Sequence, residues 1–334
     1  MKNKIKNYLL FPFDVIFLIF FIIIFKLTKK NYDQSVPILI RLFCITGGVS
    51  NDLVSLLTRT KIKKKNKIQH KFNDLKFSEI NDSLNNNGYY LFENFLSKND
   101  CEKLENYTLN NSLIAKSDSN LNSTEEVFFD ASNPHSVIYE MQNDKILKSE
   151  IAQNLLFNKF IYQVATNYFK STPFFDHISL AISCKSDKPD SEAAQLFHFD
   201  LDKPKWLKFF IYLNDVDEDN GPHFFIPKTH KNFAIRSEIR AQGYKRIDDK
   251  TISKYYPNIK EMKGKSGTLL IEDTRGLHKG SVVKKNYRCI ALLQFNNSNF
   301  GSQTSRYNVN VKQKDNLDFY NSNIYSFSNL NIIE

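Results

Sequence analysis

His198 and Asp200 stand two residues apart in QLFHFDLDKPKWLKFFIYL, residues 195–213. In an extended chain alternate side chains share a face, so this imidazole and this carboxylate point the same way. They supply two of the three donors of a two-His-one-carboxylate facial set. Such a set holds a ferrous ion and leaves positions open for substrate and dioxygen. The third donor has to come from elsewhere, and His278 is the candidate. It sits in GTLLIEDTRGLHKGSVV, which reads as strand, turn and strand. Ten residues on, Arg288 lies inside the apolar run YRCIALLQF. A lone His-x-Asp pair arises by chance in any chain of this size. The pair, a His about 80 residues later and an Arg ten beyond it, all in strand-like surroundings, is far more specific.

The elements that must position these groups are short strands. Strand-like runs fall at 195–202, 206–214, 223–227, 267–273, 280–284 and 287–295. In the second run Lys208, Phe210 and Tyr212 share one face, and Leu207, Phe209, Ile211 and Leu213 the other. Turn signals at Asp219-Asn220-Gly221 and Lys263-Gly264 favour an antiparallel barrel or sandwich. Between them the polar stretch 231–262 reads as a lid or loop over one end. Upstream, GYYLF at 88–92 is strand-like, and Ser97 followed by Asp100 reads as the N-cap of a helix through Cys101 to Thr108. Residues 110–122, rich in Asn and Ser, read as a loop. Apolar spacing over 144–170 predicts a helix that Pro173 ends, and HISLAISCKS at 177–186 reads as a strand. His70, His135 and His177 have no acidic partner at ligand spacing and read as structural or linker residues. His223 and His230, near the turn at Gly221, read as supporting or surface residues rather than ligands.

From about residue 87 to 296 the chain resembles the phytanoyl-CoA dioxygenase family of Fe(II)/2-oxoglutarate-dependent oxygenases. The resemblance is carried by NGYYLFENFLSKNDCEKL, then HFD, then YLNDVDEDNGPHFFIPKTHK, then GLHKG and Arg288. Where the family often has Gly-Ser-His, this chain has Lys228-Thr229-His230. The resemblance implies a mainly β fold with flanking helices, a double-stranded β-helix of the jelly-roll or cupin-like kind. It implies that His198, Asp200 and His278 bind Fe(II), and that 2-oxoglutarate chelates the metal and dioxygen takes the last position. Arg288 would clamp the far carboxylate of the cosubstrate, a planar anion suited to a guanidinium fork. Facing and the same resemblance make Lys208 an assistant and Phe210 a pocket wall. The implied reaction yields succinate and carbon dioxide while a substrate C–H bond is hydroxylated.

The charge is unevenly placed. The chain carries +10, but residues 1–71 hold 14 Lys and Arg against Asp14, Asp33 and Asp52, a net of +11. The remainder is therefore −1, which argues against a nucleic-acid-binding domain and for a membrane surface. YLLFPFDVIFLIFFIIIF, residues 8–25, has a single charge and as a helix would be about 27 Å long. A signal peptide would need a small-residue cleavage site, and a soluble buried helix is seldom apolar all round. With its basic flanks, the stretch 8–27 is expected to be membrane-associated, either spanning or monotopic, and the catalytic part cytoplasmic. VPILIRLFCI at 36–45 is a possible second shallow element, and the basic run 61–71 is a linker or a contact with anionic lipid heads. The expected division is an anchor at 1–30, a basic linker with peripheral helices at 31–85, the oxygenase barrel at 86–300 and a tail at 301–334. Cys44, Cys101, Cys184 and Cys289 form no paired motif and are expected to be reduced.

Three functions follow. The first is a membrane-associated Fe(II)/2-oxoglutarate dioxygenase acting on a small-molecule or lipid substrate. The second is a barrel of the same fold that binds a lipid or protein partner without catalysis. The third is a zinc hydrolase using the same triad, which leaves Arg288 without a role and lacks a flanking general base. The sequence specifies neither substrate nor oligomeric state.

Overall fold

The computed structural model of the chain describes residues 2–62, 74–116, 124–190, 193–243 and 245–333. Residues 63–71 of the basic run, His70 among them, and 117–122 of the Asn- and Ser-rich segment lie outside the described residues. The strands are β1 (Tyr89–Phe92), β2 (Leu113–Lys116), β3 (Glu126–Val127), β4 (Ile138–Glu140), β5 (Phe174–Cys184), β6 (Trp206–Tyr212), β7 (His223–Phe225), β8 (Lys260–Met262), β9 (Leu269–Glu272), β10 (His278–Gly280), β11 (Tyr287–Asn296), β12 (Tyr307–Val309) and β13 (Leu330–Ile332). Eight form one antiparallel sheet in the order β1-β9-β6-β11-β5-β4-β2-β3, and β10-β7-β8 form a smaller antiparallel sheet. Together they make a jelly-roll barrel of the double-stranded β-helix kind, with helices on the N-terminal side.

The predicted alternation decides which way each strand faces. Leu207, Phe209 and Ile211 of β6 join Leu293 and Phe295 of β11 and Ile182 of β5 in the main core, under the helices. Phe210 and Tyr212 face the other way and pack with Leu270, Phe225 and Met262 between the two sheets. β11 is central, in register with β5 from Tyr287↔Cys184 and with β6 from Ile290↔Tyr212. Residues of β12 and β13, with Phe319 and Phe327 between them, complete the main core. All four cysteines are free and buried.

Several local expectations are corrected. The stretch 195–202 is extended but forms no ladder: Phe197 and His198 make isolated bridges to Ile247 and His278, and the chain then bends at Asp202–Lys205 around Pro204. The strand expected at 280–284 lies instead at His278–Gly280, because the Ser281 amide turns to Pro222 O. The helix expected over 144–170 is three helices, Asn143–Ile146, Glu150–Leu156 and Lys159–Phe169. Ser149 and Asn158 each cap a new start, their side chains accepting from Ala152 N and from Phe160 N and Ile161 N. The loop expected over 110–122 contains β2. Ser97 does cap its helix, Lys98–Leu109, accepting from Asp100 N. The polar insert 231–262 packs Ile235, Ile239, Ile247 and Ile252 against Phe197, Phe199 and Leu277, a hydrophobic backing for the His198 segment.

Among the described residues four helices precede the barrel: α1 (Lys2–Thr28), α2 (Ser35–Thr46), α3 (Val49–Thr58) and a fourth, Asp74–Asn87, that leads into β1. α1 runs through Pro12 and Asp14 unbroken, and Asp14 is buried in a two-pronged pair with Arg41 of α2 at 2.5 and 2.9 Å. Leu18, Ile22 and Phe25 of α1 pack on Leu39 and Leu42 of α2 and on Phe300.

α3 is pinned to the turn that leads into β10. Arg275 donates to both oxygens of Asp273 and, through Nη1, to Asp52 of α3 at 2.9 Å, while Tyr168 Oη donates to Asp273 at 2.6 Å. Burial works against ionised Asp273, but Arg275 outweighs it and holds the carboxyl below its usual range. Asp273→Asn leaves the buried Arg275 charge without its main partner and should cost about 3–5 kcal/mol at pH 7 in urea unfolding. An Asp held below its unfolded pKa of about 3.9 stabilises the fold above that value and loses the contribution as pH falls towards its folded pKa. The gap between wild type and variant should therefore narrow by about 1.4 kcal/mol for each pH unit below about pH 4.

Candidate metal centre

His198 and His278, far apart in sequence, are joined by their backbones. His198 N donates to His278 O at 3.0 Å and His278 N to His198 O at 2.9 Å. Asp200 N donates to Thr274 O at 2.8 Å, which sets the carboxylate two residues further along. The two rings lie 4.2 Å apart between centroids. Asp200 Oδ1 is 3.9 Å from His198 Nε2, and Oδ2 is 3.5 Å from His278 Nε2. One donor atom from each of the three residues lies within 4.8 Å of the others, and all three residues are buried.

Both imidazoles are oriented by the same device. Nδ1 of His198 lies 2.9 Å from Leu196 O, and Nδ1 of His278 lies 2.9 Å from Gly276 O. A carbonyl can only accept, so each Nδ1 carries the ring proton and each Nε2 presents a lone pair to the shared space. Burial pushes His198 well below the ordinary range, helped by His278, and lowers His278 to about 4. Burial opposes ionisation of Asp200, but Lys208, His278 and His198 outweigh it and hold the carboxyl below the usual range. At neutral pH the set is two neutral nitrogens and one carboxylate, the donor set of a divalent first-row metal. Among the described residues no fourth His, Cys or carboxylate completes the cluster, so coordination positions stay open. The residues fit Fe(II).

The surroundings place the other predicted residues. Lys208 Nζ lies 2.8 Å from Asp200 Oδ2. Phe210 packs on His223 at 4.9 Å, and His223 stacks on His278 at 5.6 Å with a 15° tilt. His223 Nε2 lies 2.8 Å from Glu272 Oε2, a fully buried carboxylate. This His223–Glu272 pair behind the ligand ring was not foreseen; the signal available was that Glu272 alternates with Leu270, so it faces inward across from Lys208.

Arg288 is buried, its guanidinium donating to Gly221 O and to Ser183 Oγ. It lies against Gly280, where an added Cβ would sit 3.0 Å from Nη2. Gly280 is two residues from His278 in β10, so arginine and metal ligand occupy the same side of that strand. Burial lowers the Arg288 pKa, only partly offset by Tyr212. The buried acids of the β9 end lie elsewhere: Asp273 pairs with Arg275, and Glu272 sits 2.8 Å from His223. Among the described residues no carboxylate pairs with Arg288.

His278→Ala removes one of three donors and should abolish retention of iron after anaerobic loading and desalting, read by metal analysis. Iron content equal to wild type would refute the ligand assignment.

The phytanoyl-CoA dioxygenase (PhyH) family profile matches residues 84–284, well over half of the chain. No curated protein matches it. Solved structures similar to the chain include the non-heme alpha ketoglutarate dependent epimerase SnoN from nogalamycin biosynthesis, 12% identical over 67% of this chain and 84% of that one, with a TM-score of 0.46. HygX from Streptomyces hygroscopicus, solved with nickel and 2-oxoglutarate, is 11% identical over 71% and 92%, TM-score 0.47. EctD from S. alaskensis, solved with 2-oxoglutarate and 5-hydroxyectoine, is 14% identical over 72% and 82%, TM-score 0.45. On the strength of the family match, this chain belongs to the phytanoyl-CoA dioxygenase family of Fe(II)- and 2-oxoglutarate-dependent oxygenases.

Proposed function

We propose that the chain hydroxylates a C–H bond of a small-molecule or lipid substrate, with His198, Asp200 and His278 holding Fe(II) and Arg288 anchoring 2-oxoglutarate. The observation that carries this reading is a buried guanidinium with no carboxylate partner among the described residues, on the His278 side of β10. A buried charge is costly unless paired, and a dicarboxylate reaching from the metal supplies the missing anion. A zinc hydrolase has no use for that cation. When bound, the iron and its cosubstrate supply the oxidising chemistry; the protein supplies position and shelter.

Each residue then has a task. The Leu196 and Gly276 carbonyls keep the imidazole protons on Nδ1, so both rings stay ligands. Lys208 beside Asp200 offsets carboxylate charge at the centre, that of the cosubstrate included. Phe210 and His223 form a wall of rings against His278 and keep water from that side. Arg288→Ala should leave iron content unchanged and weaken 2-oxoglutarate binding at least tenfold, read by anaerobic titration. Unchanged cosubstrate affinity would remove Arg288 from this role.

We also read the N-terminal helices as a monotopic attachment to a membrane, with the catalytic body on the cytoplasmic side. The stretch Leu10–Thr28 is long and apolar enough to cross a membrane, yet α1 lies along α2 through Leu18, Ile22 and Phe25 and the Asp14–Arg41 pair. Its other face leaves Ile16, Phe17, Phe20 and Ile23 exposed, and α3 adds Leu53, Leu56 and Leu57. Lys26, Lys29 and Lys30 at the end of α1 suit anionic headgroups. One apolar outer face beside a body-docked inner face favours lying in the interface over spanning it. The full chain should co-sediment with vesicles containing anionic lipid, and Phe17→Glu with Phe20→Glu should stay in the supernatant while still binding iron. Equal sedimentation of both would overturn the attachment.

A further inference from the structure

Beside the metal ligands lies a cavity of about 220 Å³ with Asp200 and Lys208 in one wall. It is smaller than the roughly 300–1,000 Å³ of sites that take drug-sized ligands, so it fits one ring-sized group. Trp206 is its one large apolar lining residue; the rest of the wall is polar, from β5, β11, the Asp202 bend and residues 302–305. An acyl chain placed here would strip water from those polar groups without replacing its hydrogen bonds.

The polar groups are arranged to receive something. Gln294 is 7% exposed, and its amide nitrogen donates to Asp176. A carboxylate can only accept, so the Gln294 carbonyl oxygen is the end left over, and it takes no hydrogen bond among the described residues. Asp176 is itself offset by Lys203 at 3.6 Å. Asp202 presents a carboxylate that makes no ion pair or side-chain hydrogen bond among the described residues, while its backbone oxygen accepts from Ser302 N. His177 supplies the opposite polarity. Tyr307 Oη accepts from Ile178 N at 3.3 Å and lies 2.8 Å from His177 Nδ1; when the hydroxyl gives its proton to Nδ1, the ring proton stays on Nε2 and that nitrogen donates. Two acceptors and, in that tautomer, a donor surround one small space, with the Lys208 ammonium in the same wall. A hydroxyl gives and takes; an ammonium can only give.

We propose that this cavity is the subsite for a polyhydroxylated group about the size of one sugar ring, held by Asp202 and Gln294 as acceptors and His177 as donor, beside Trp206. This rests on the oxygenase reading, for which it names a substrate class. The group is either a free polyol or the head of a lipid-linked one. The second source gains from the wall of the cavity: Gln303 donates to Asp33 at 3.4 Å and Phe25 packs on neighbouring Phe300, which joins that wall to the helices read as membrane-attached.

The test is saturation-transfer NMR on the full chain, with and without ferrous iron and 2-oxoglutarate under nitrogen. The probes are glucose, ribose, myo-inositol, octyl glucoside below its micelle concentration, and octanoate. At least one polyol should bind and octanoate should not; octyl glucoside binding more tightly than glucose assigns the group to a lipid-linked source, and equal binding to a free one. Asp202→Asn and Gln294→Leu should each weaken the bound polyol at least tenfold. Binding of octanoate alone, of no probe, or of the polyol to both variants as to wild type overturns the subsite. Polyol binding by a chain that takes up neither iron nor 2-oxoglutarate would keep the subsite and sink the oxygenase reading.

Discussion

Two backbone hydrogen bonds exchanged between His198 and His278 are the constraint on which the centre depends. They join segments that are remote along the chain, and they do so where neither belongs to a long ladder. Once made, they fix the ring separation and leave only the direction of each imidazole to be set. The carbonyls two residues upstream of each histidine set it. Because both residues are buried, a ring turned the other way would lose a hydrogen bond without water to replace it. Main-chain geometry thus dictates side-chain geometry.

Around this pair the protein separates charges rather than cancelling them in one place. Asp273 and Arg275 serve the turn before β10, Glu272 faces His223, and Asp200 has Lys208. Among the described residues Arg288 is left with only neutral partners, Gly221 O and Ser183 Oγ. The turn is also fastened from outside, since Arg275 reaches Asp52 of α3. Through that contact the N-terminal helices bear on the loop that delivers a metal ligand, although they lie before the matched family region. The Asp14–Arg41 pair does the same inside the helical layer, fixing α1 to α2 at a buried position.

Much of this was legible in sequence. The spacing of His198, Asp200 and His278 picked out the triad because each sits in an extended setting that limits where it can point. The alternation in β6 separated Phe209 and Ile211, under the helices, from Phe210 and Tyr212, between the sheets. What stayed hidden depends on partners that no local pattern announces. Asp52 meets Arg275 across 223 residues, and Glu272 meets His223 only once β9 and β7 lie in facing sheets. His177, read as structural, lines a cavity because β5 and β11 pair in a register that period-two reasoning cannot choose. The broken helix over 143–169 failed for a different reason: apolar spacing runs through Ser149 and Asn158, while their side chains offer the backbone a fresh start that outweighs continuity. Asp14, the single charge in residues 8–25, finds its partner, Arg41, on the next helix, which no pattern within α1 announces.

The most direct measurement is anomalous diffraction at the iron edge from crystals of the full chain grown without oxygen in ferrous iron and 2-oxoglutarate. The account requires one strong peak at bonding distance, roughly 2.0–2.2 Å for nitrogen and oxygen ligands, from Nε2 of His198, Nε2 of His278 and an Asp200 oxygen, with the far carboxylate of the cosubstrate against Arg288. A peak bound through other atoms, or full iron occupancy with Arg288 facing no carboxylate, would contradict it.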